Sequence, residues 1–271
     1  MKIRSCLSLL LLCSMATLAF AESFKWPNGA RAAINLAYDD ALDSQLDNAI
    51  PQLNRHKLQG TFYLTLSADT LKNRLADWRA AAAAGHELAN HTLFHQCSKS
   101  APGRDWVPEH RDLDKVSALQ MQDQIRVGNI LLNAIDGKTE RTLTSPCIDT
   151  KAAGGEPYLP AIYDEFVAIK AQNGGIVEDM VKLNPYSVGA EFPVGVTGKQ
   201  LIERAKEAAA KGTMLNLTFH GVGGDHMVVS AEAHEEFLVY LAANRDIYWV
   251  DTFVNIMKYV REQQAQISAG R

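Results

Sequence analysis

The stretch AAINLAYDD, residues 32–40, is mostly apolar and then ends in two adjacent carboxylates, Asp39 and Asp40. A short apolar run closed by turn-forming residues reads as a buried strand. Seven more runs of this kind are expected to form strands, at 61–66, 86–90, 142–146, 166–170, 187–192, 213–219 and 247–250. Segments of helical period lie between most of them, at 43–56, 68–84, 112–135, 198–211, 230–244 and 252–265. Gly60 and Gly85 are placed to close the first two helices, and Ser230 opens a capping pattern. Repeated strand-then-helix units need crossover connections, so they predict parallel strands covered by helices. Seven or eight such units fit a single barrel-like α/β domain, with an open doubly wound sheet as the rival. No Gly-x-Gly-x-x-Gly follows the first strand and no Gly-x-x-x-x-Gly-Lys occurs, so a nucleotide-phosphate cradle has no support. The segment 97–111, rich in Pro, Gly and charge, reads as a long loop within the domain.

The polar residues fall at strand ends. Asp39-Asp40 end the first strand, His91 the third, Pro146-Cys147 the fourth, and His220 follows LNLTF. In parallel α/β folds the carboxyl ends of the strands share one face, so residues far apart in sequence converge there. NHTLFH, residues 90–95, spaces His91 and His95 four apart, and on a helical turn both rings would project from one face. A carboxylate from Asp39-Asp40 would complete a His-His-Asp set suited to zinc or a related divalent ion; the alternative is that all of these are ordinary surface turns. Neighbouring residues on an extended chain point opposite ways, so one aspartate can face the ion and the other the water beside it. HGVGGDH, residues 220–226, is a glycine-rich turn able to bring backbone near a ligand. Within and beyond it, Asp225, His226 and His234 are weaker candidates, with His234 expected on an exposed helix face. No Gly-x-Ser-x-Gly elbow occurs, so a serine esterase is poorly supported.

Residues 1–21 have a basic start at Lys2 and Arg4, an apolar centre and a small-x-small end at Ala19-Phe20-Ala21. They read as a cleavable export signal, which predicts a secreted or periplasmic protein whose mature domain spans 22–271, with no membrane anchor. Loss of Lys2 and Arg4 leaves 25 basic against 31 acidic residues, a net charge of −6. That balance argues against nucleic acid or an anionic membrane as the main partner. Cys97 and Cys147 remain as an even pair in an oxidising compartment, where a disulfide is one outcome; spacing alone does not bring two sulfurs within bonding distance.

Taken in order, these motifs resemble the polysaccharide deacetylase family, carbohydrate esterase family 4, also called the NodB homology domain. AYDD (37–40) resembles its Thr-Phe-Asp-Asp motif, HTLFH (91–95) matches its His-Ser/Thr-x-x-His motif, and TFHG (218–221) resembles its Leu-x-His motif. The resemblance runs over most of 30–255 and implies a distorted (β/α) barrel. It implies that Asp40, His91 and His95 hold a divalent metal, most simply Zn2+, with Asp39 as general base and His220 as general acid. The backbone N–H of Cys147 would stabilise the oxyanion, which leaves its sulfur free to bond Cys97. The implied substrate is an acetylated polysaccharide or oligosaccharide, N- or O-acetylated, and Trp106 is a candidate stacking surface. Two departures stand out. The Arg-x-Pro-x-Gly motif aligns with TSPCI (144–148), so Thr144 stands where an arginine braces the catalytic aspartate, and Arg141 is offset by three residues, onto the opposite strand face. Asp179 in VEDM (177–180) falls where an acidic partner for His220 is expected. The missing arginine motivates a rival, a sugar-binding module on a degenerate barrel; a metal-dependent amidase acting on a non-sugar amide shares the chemistry.

Overall fold

The opening stretch forms strand β1 (Ala32–Asp39), every residue of which is buried. Its side chains alternate between two environments. Ala32, Ile34, Leu36 and Tyr38 join an apolar core with residues of the surrounding helices, whereas Ala33 and Ala37 belong to a second cluster with Tyr63, Ala89, Ala168 and Phe253. The computed structural model describes residues 24–270, so the expected export signal lies outside the described residues. Seven more strands follow: β2 (Thr61–Leu64), β3 (Glu87–Asn90), β4 (Thr142–Thr144), β5 (Ala168–Asn173), β6 (Val188–Ala190), β7 (Met214–Phe219) and β8 (Tyr248–Val250). All named strand pairs are parallel, in the order β6-β5-β4-β3-β2-β1-β7. Glu191, just past β6, bonds to both Asn216 and Thr218 of β7 and nearly closes the ring. The result is a distorted (β/α) barrel of seven strands. The eighth, β8, pairs with Ala32–Ile34 on the lower half of β1, while β2 pairs with Ala37–Asp39 on the upper half.

The helices are α1 (Ile50–Arg55), α2 (Asp69–Asn73), α3 (Leu75–Ala83), α4 (Ala118–Asp136), α5 (Gly198–Lys211), α6 (Ala231–Ala243) and α7 (Phe253–Ala269). Ser117 with Gln120 and Thr197 with Gln200 form reciprocal caps that start α4 and α5, and Ser230 accepts from Ala233 N–H to start α6. Three expectations need correction. The helix expected at 43–56 is a π turn, Gln45–Ala49, running into α1; it ends at Arg55, with Lys57 left-handed, so Gly60 does not close it. Gly60 instead lets backbone pass close to the barrel, since a Cβ there would lie 2.9 Å from the Tyr38 ring. The helix expected at 68–84 breaks in two at Arg74, whose guanidinium pairs with Asp43, Asp47 and Asp77. His234 is not on an exposed face: it is fully buried between the Tyr38 and Phe219 rings.

The barrel interior is polar at mid-height. Lys170 of β5 donates to Asn35 Oδ1 (2.9 Å) and Thr218 Oγ1 (3.2 Å), and its ammonium sits 4.8 Å from the ring centres of both Tyr63 and Phe253. Glu87 accepts from Thr61 (2.9 Å) and Thr142 (2.5 Å), and from the Val254 N–H at the start of α7 (2.9 Å). Phe253 N–H donates to Thr61 Oγ1 (2.8 Å), so interior side chains satisfy the first free amides of α7 and hold it against the amino end of the barrel. At the other end, Cys97 and Cys147 are disulfide-bonded with Cα atoms 5.8 Å apart, tying the loop after β3 to the turn after β4. Arg104 braces the same pair of loops through Asp149 and the carbonyls of Cys147 and Ser98.

Two buried histidines make stability depend on pH. His234 donates from Nδ1 to Gln52 Oε1 and accepts at Nε2 from the Tyr38 hydroxyl (2.7 Å), and His86 Nδ1 accepts from Gly60 N–H (3.1 Å); both arrangements require neutral rings. Burial pushes His234 down to about 3 and His86 down to about 4, from an ordinary 6.5. Below ~6.5 the unfolded chain therefore binds more protons, and stability falls with acidification by up to about 1.4 kcal/mol per pH unit per histidine until each folded value is reached. Denaturant midpoints should drop between pH 7 and pH 5, and His86→Gln should flatten the slope; a midpoint constant over that interval would contradict the assignment. The disulfide closes a segment with a sequence separation of 50 residues, for which chain entropy gives about 4 kcal/mol. The Cys97→Ala/Cys147→Ala double variant should lose a stabilisation of that order in denaturant titration, and an unchanged midpoint would count against it.

Candidate active site

The inward columns of the barrel end in the polar residues of the ordered motifs. Asp39 tops β1, His91 follows β3 and His220 follows β7, all three buried. They line one cleft of about 670 Å³ together with Asp40, His95, Thr65, Ser145, Cys147, Ile148, Asn173, Phe192, His226, Met227 and Trp106. Parallel register alone delivers the first three, because each is the next inward position of its strand.

The loops bring in the rest by unusual backbone. Asp40 turns left-handed (φ 82°), so its carboxylate faces the same cleft as that of Asp39 rather than the opposite way expected of an extended chain. HTLFH is not a helical turn: Thr92 (φ 65°) and His95 (φ 49°) fold it back on itself, held by Asn90 Oδ1 accepting from Thr92 N–H (2.7 Å) and Thr92 Oγ1 accepting from His95 N–H (3.1 Å). The two rings meet at 4.8 Å between centres. Apart from Asn28 and Lys57, the left-handed non-glycine residues among the described residues all lie in the loops of this end, including Cys147 (φ 54°) and Ile148 (φ 59°). Each such residue costs of order 1 kcal/mol or more, a strain that concentrates at functional sites. Gln45, on the π turn, donates to the carbonyls of Asp39 (2.5 Å) and His220 (3.1 Å) and locks the two strand ends together.

Asp40 Oδ1 lies 3.4 Å from His91 Nε2 and 3.2 Å from His95 Nε2, and Asp39 Oδ2 lies 3.8 Å from His91 Nε2. His91 Nδ1 donates to the Thr144 carbonyl (2.8 Å), which fixes the tautomer and turns the Nε2 lone pair toward Asp40. The donor atoms of Asp40, His91 and His95 all lie within 4.8 Å of one another. Burial lowers His95 to about 4, helped by the neighbouring His91, so its ring is neutral and free to ligate. Burial alone would raise Asp40, but hydrogen bonds from His226 and His91 hold it well below the ordinary carboxylate range. Asp39 Oδ1 and Asp40 Oδ1 are buried without a hydrogen-bond partner. Burial disfavours the charged His91 ring, but Asp39 and Asp40 outweigh it and raise its pKa, so a bound ion would take the place of the proton at its Nε2. Two imidazoles, an ionised carboxylate and orphaned acceptor oxygens form a donor set that fits a divalent ion.

Burial raises Asp39, opposed by the charges of His91, His220 and Lys170. Lys170 lies outside every motif described above. Thr144 stands where the arginine is missing, and Arg141 is buried elsewhere, bonded to Asp136 and the Leu88 and Lys138 carbonyls. The buried cation that acts on Asp39 comes instead from β5. Burial pushes the Lys170 ammonium down to about 7, with Asp39 and Glu87 working against the shift. Its signal in the sequence was a lysine at an inward position of an apolar strand. Asp179 does not partner His220: it is an exposed residue capping the Val181 and Lys182 amides and pairing with Lys182. His220 Nδ1 has no partner, and burial lowers its pKa against the pull of Asp39 and Asp40. Trp106 reaches the cleft rim, 61% exposed.

Comparison with known proteins agrees with this geometry. Residues 27–152 match the family model described as Polysaccharide deacetylase. Among solved structures, a putative polysaccharide deacetylase from Mycobacterium smegmatis aligns with TM-score 0.59 at 16% identity, covering 89% of this chain and 94% of that one. The Xyl-CE4 domain of a multidomain xylanase from the hindgut metagenome of Trinervitermes trinervoides aligns at 0.53 and 18%, covering 84% and 90%. A CE4 family pseudoenzyme from Bacillus anthracis aligns at 0.52 and 14%, covering 83% and 65%, so the shared fold also occurs in pseudoenzymes. No curated protein matches the chain at a significant level. With the ordered motifs gathered at one end of a distorted barrel, residues 27–152, which hold the first two of them, are similar to the polysaccharide deacetylase family, and the chain shares the fold of its solved members.

Proposed function

We propose that this protein is an exported, metal-dependent hydrolase, secreted or periplasmic, that removes acetyl groups from an acetylated polysaccharide or oligosaccharide. The observation that carries the reading is the Asp40–His91–His95 donor set in the cleft, with Asp39 and His220 facing it. Two imidazoles and a carboxylate favour Zn2+. An ion held by these three residues supplies Lewis acidity toward water and the acetyl carbonyl. Asp39 takes the proton of the attacking water, and its raised pKa makes it a better base than an exposed aspartate. His220 is neutral at rest, so the proton it delivers is the one released by the attacking water and first taken by Asp39. His220 takes that proton up as the tetrahedral intermediate forms and, in a site that disfavours the cation, hands it to the departing amine or hydroxyl, which returns Asp39 and His220 to their starting states. The Cys147 amide, in the disulfide-held turn of the cleft wall, is the donor for the developing oxyanion. Lys170 stands in for the family arginine by placing positive charge in the barrel beneath Asp39. Trp106 and Phe192 give the cleft apolar surface against which a sugar face can stack.

Acetate release from N-acetylated chito-oligosaccharides or O-acetylated xylan, abolished by a chelator and restored by zinc, is the expected result. A chain that takes up zinc but releases no acetate from either panel would favour the rival sugar-binding module. Asp39→Asn and His220→Gln should each lower kcat by about 10²–10⁴ while leaving zinc uptake by the Asp40–His91–His95 set in place. Lys170→Met should move the acidic limb of the kcat/KM profile up by about one pH unit, because loss of a cation raises the pKa of Asp39; an unmoved limb would remove Lys170 from this role.

A further inference from the structure

The donor set described above uses one oxygen of Asp40, and the other oxygen faces a different pair of histidines. Asp40 Oδ2 lies 2.8 Å from His226 Nε2 and 3.8 Å from His220 Nε2. The donor atoms of Asp40, His220 and His226 fall within 4.8 Å of one another, as do those of Asp40, His91 and His95. His226 is not there by chance contact. The loop from Gly221 to Val229 doubles back through Gly221 N–H to the His226 carbonyl (3.0 Å) and Val229 N–H to the Gly221 carbonyl (2.9 Å). Only glycine fits at 221, where a Cβ would lie 1.9 Å from the Gly224 carbonyl oxygen. Left-handed residues on both sides of His226, Asp225 (φ 63°) and Met227 (φ 48°), aim it over the cleft. Asp225 is pinned by accepting from Ser44 N–H (2.8 Å), just beyond Asp40 in the chain. The His226 side chain is 55% exposed, which leaves its outer side open to solvent ligands.

We propose that Asp40, His220 and His226 form a second divalent-cation site, joined to the first through the two oxygens of one carboxylate, and that an ion bound there switches catalysis off. One carboxylate can bridge two ions, and two imidazoles with one oxygen select the zinc class over calcium or magnesium. The inner set fills first: His91 is buried and its ring is fixed by Thr144, whereas the outer set lies at the rim and its ion is repelled by the ion already held. Occupation of the outer site ties up the ring nitrogen of His220. That inhibitory consequence rests on His220 being the acid; the number of ions bound does not.

The test counts zinc. Full-length processed protein, stripped by chelator and dialysed against a series of buffered free-zinc concentrations, should take up two equivalents by elemental analysis, the second more weakly. His226→Ala, at a half-exposed position whose folding is checked by its thermal midpoint, should take up one. Acetate release by the wild type should rise with the first equivalent and fall with the second, and the fall should vanish in His226→Ala. A wild type that stops at one equivalent, or a His226→Ala variant that still takes up two, overturns the second site. A wild type that binds none overturns the inner set as well, and unaltered acetate release across the second equivalent overturns the switch.

Discussion

The register of β1 against its two neighbours is the constraint on which the rest of the site depends. Tyr38 lies opposite Phe219 on one side and Phe62 on the other, and all three face the outer helices. With that parity set, Asp39 and His220 must both point inward at the same height. A slip of one residue in either pairing would turn one of them into the apolar shell. The stacked Tyr38, Phe62 and Phe219 rings, with 4.7 Å and 5.5 Å between centres, penalise such a slip because they would trade a buried aromatic layer for a polar barrel interior.

Inside the barrel, charge is balanced in layers. Glu87 anchors the lower layer, where it caps α7 with the help of Thr61 and Thr142. Lys170 occupies the middle, bonded to neutral Asn35 and Thr218 and bracketed by two aromatic rings. Asp39 closes the column at the cleft. A lone buried ammonium would be expensive, and its low pKa records that cost; the two carboxylates above and below are what keep it in place. The electrostatics of the site thus extend down to the helix that covers the far end.

The upper rim is built on the opposite principle. Regular structure ends at the strand tips, and the remaining side chains are positioned by left-handed turns that cost energy locally. The Cys97–Cys147 bridge, the Arg104–Asp149 pair and Gln45 fasten those turns to one another. Strain of this kind persists only when surrounding bonds over-determine it.

Much of this was legible in the chain before any coordinates. Alternating apolar runs and helical segments were enough to locate all eight strands, because burial on a two-residue period leaves a clear mark on composition. The ordered motifs at strand ends named Asp39, Asp40, His91, His95, Cys147 and His220 of the cleft lining, because parallel strands send their carboxyl ends to one face whatever their separation in sequence; Thr65, Ser145, Asn173, Phe192 and Met227 belong to no such motif. What sequence could not supply was anything that depends on contacts across the barrel or on backbone departing from regular geometry. It placed His91 and His95 on a helical turn, put His234 at the surface and offered Asp179 as a partner, since local spacing carries no record of a left-handed residue or of what packs against a helix. A lysine at an inward position of an apolar strand was the one mark of Lys170, and nothing local tied it to Asp39, because β5 lies across the barrel from β1. The sequence by itself determined which residues could meet; tertiary structure alone decided which carboxylate oxygen faces which imidazole and where the compensating charge comes from, because those are set by packing between strands that are distant in the chain.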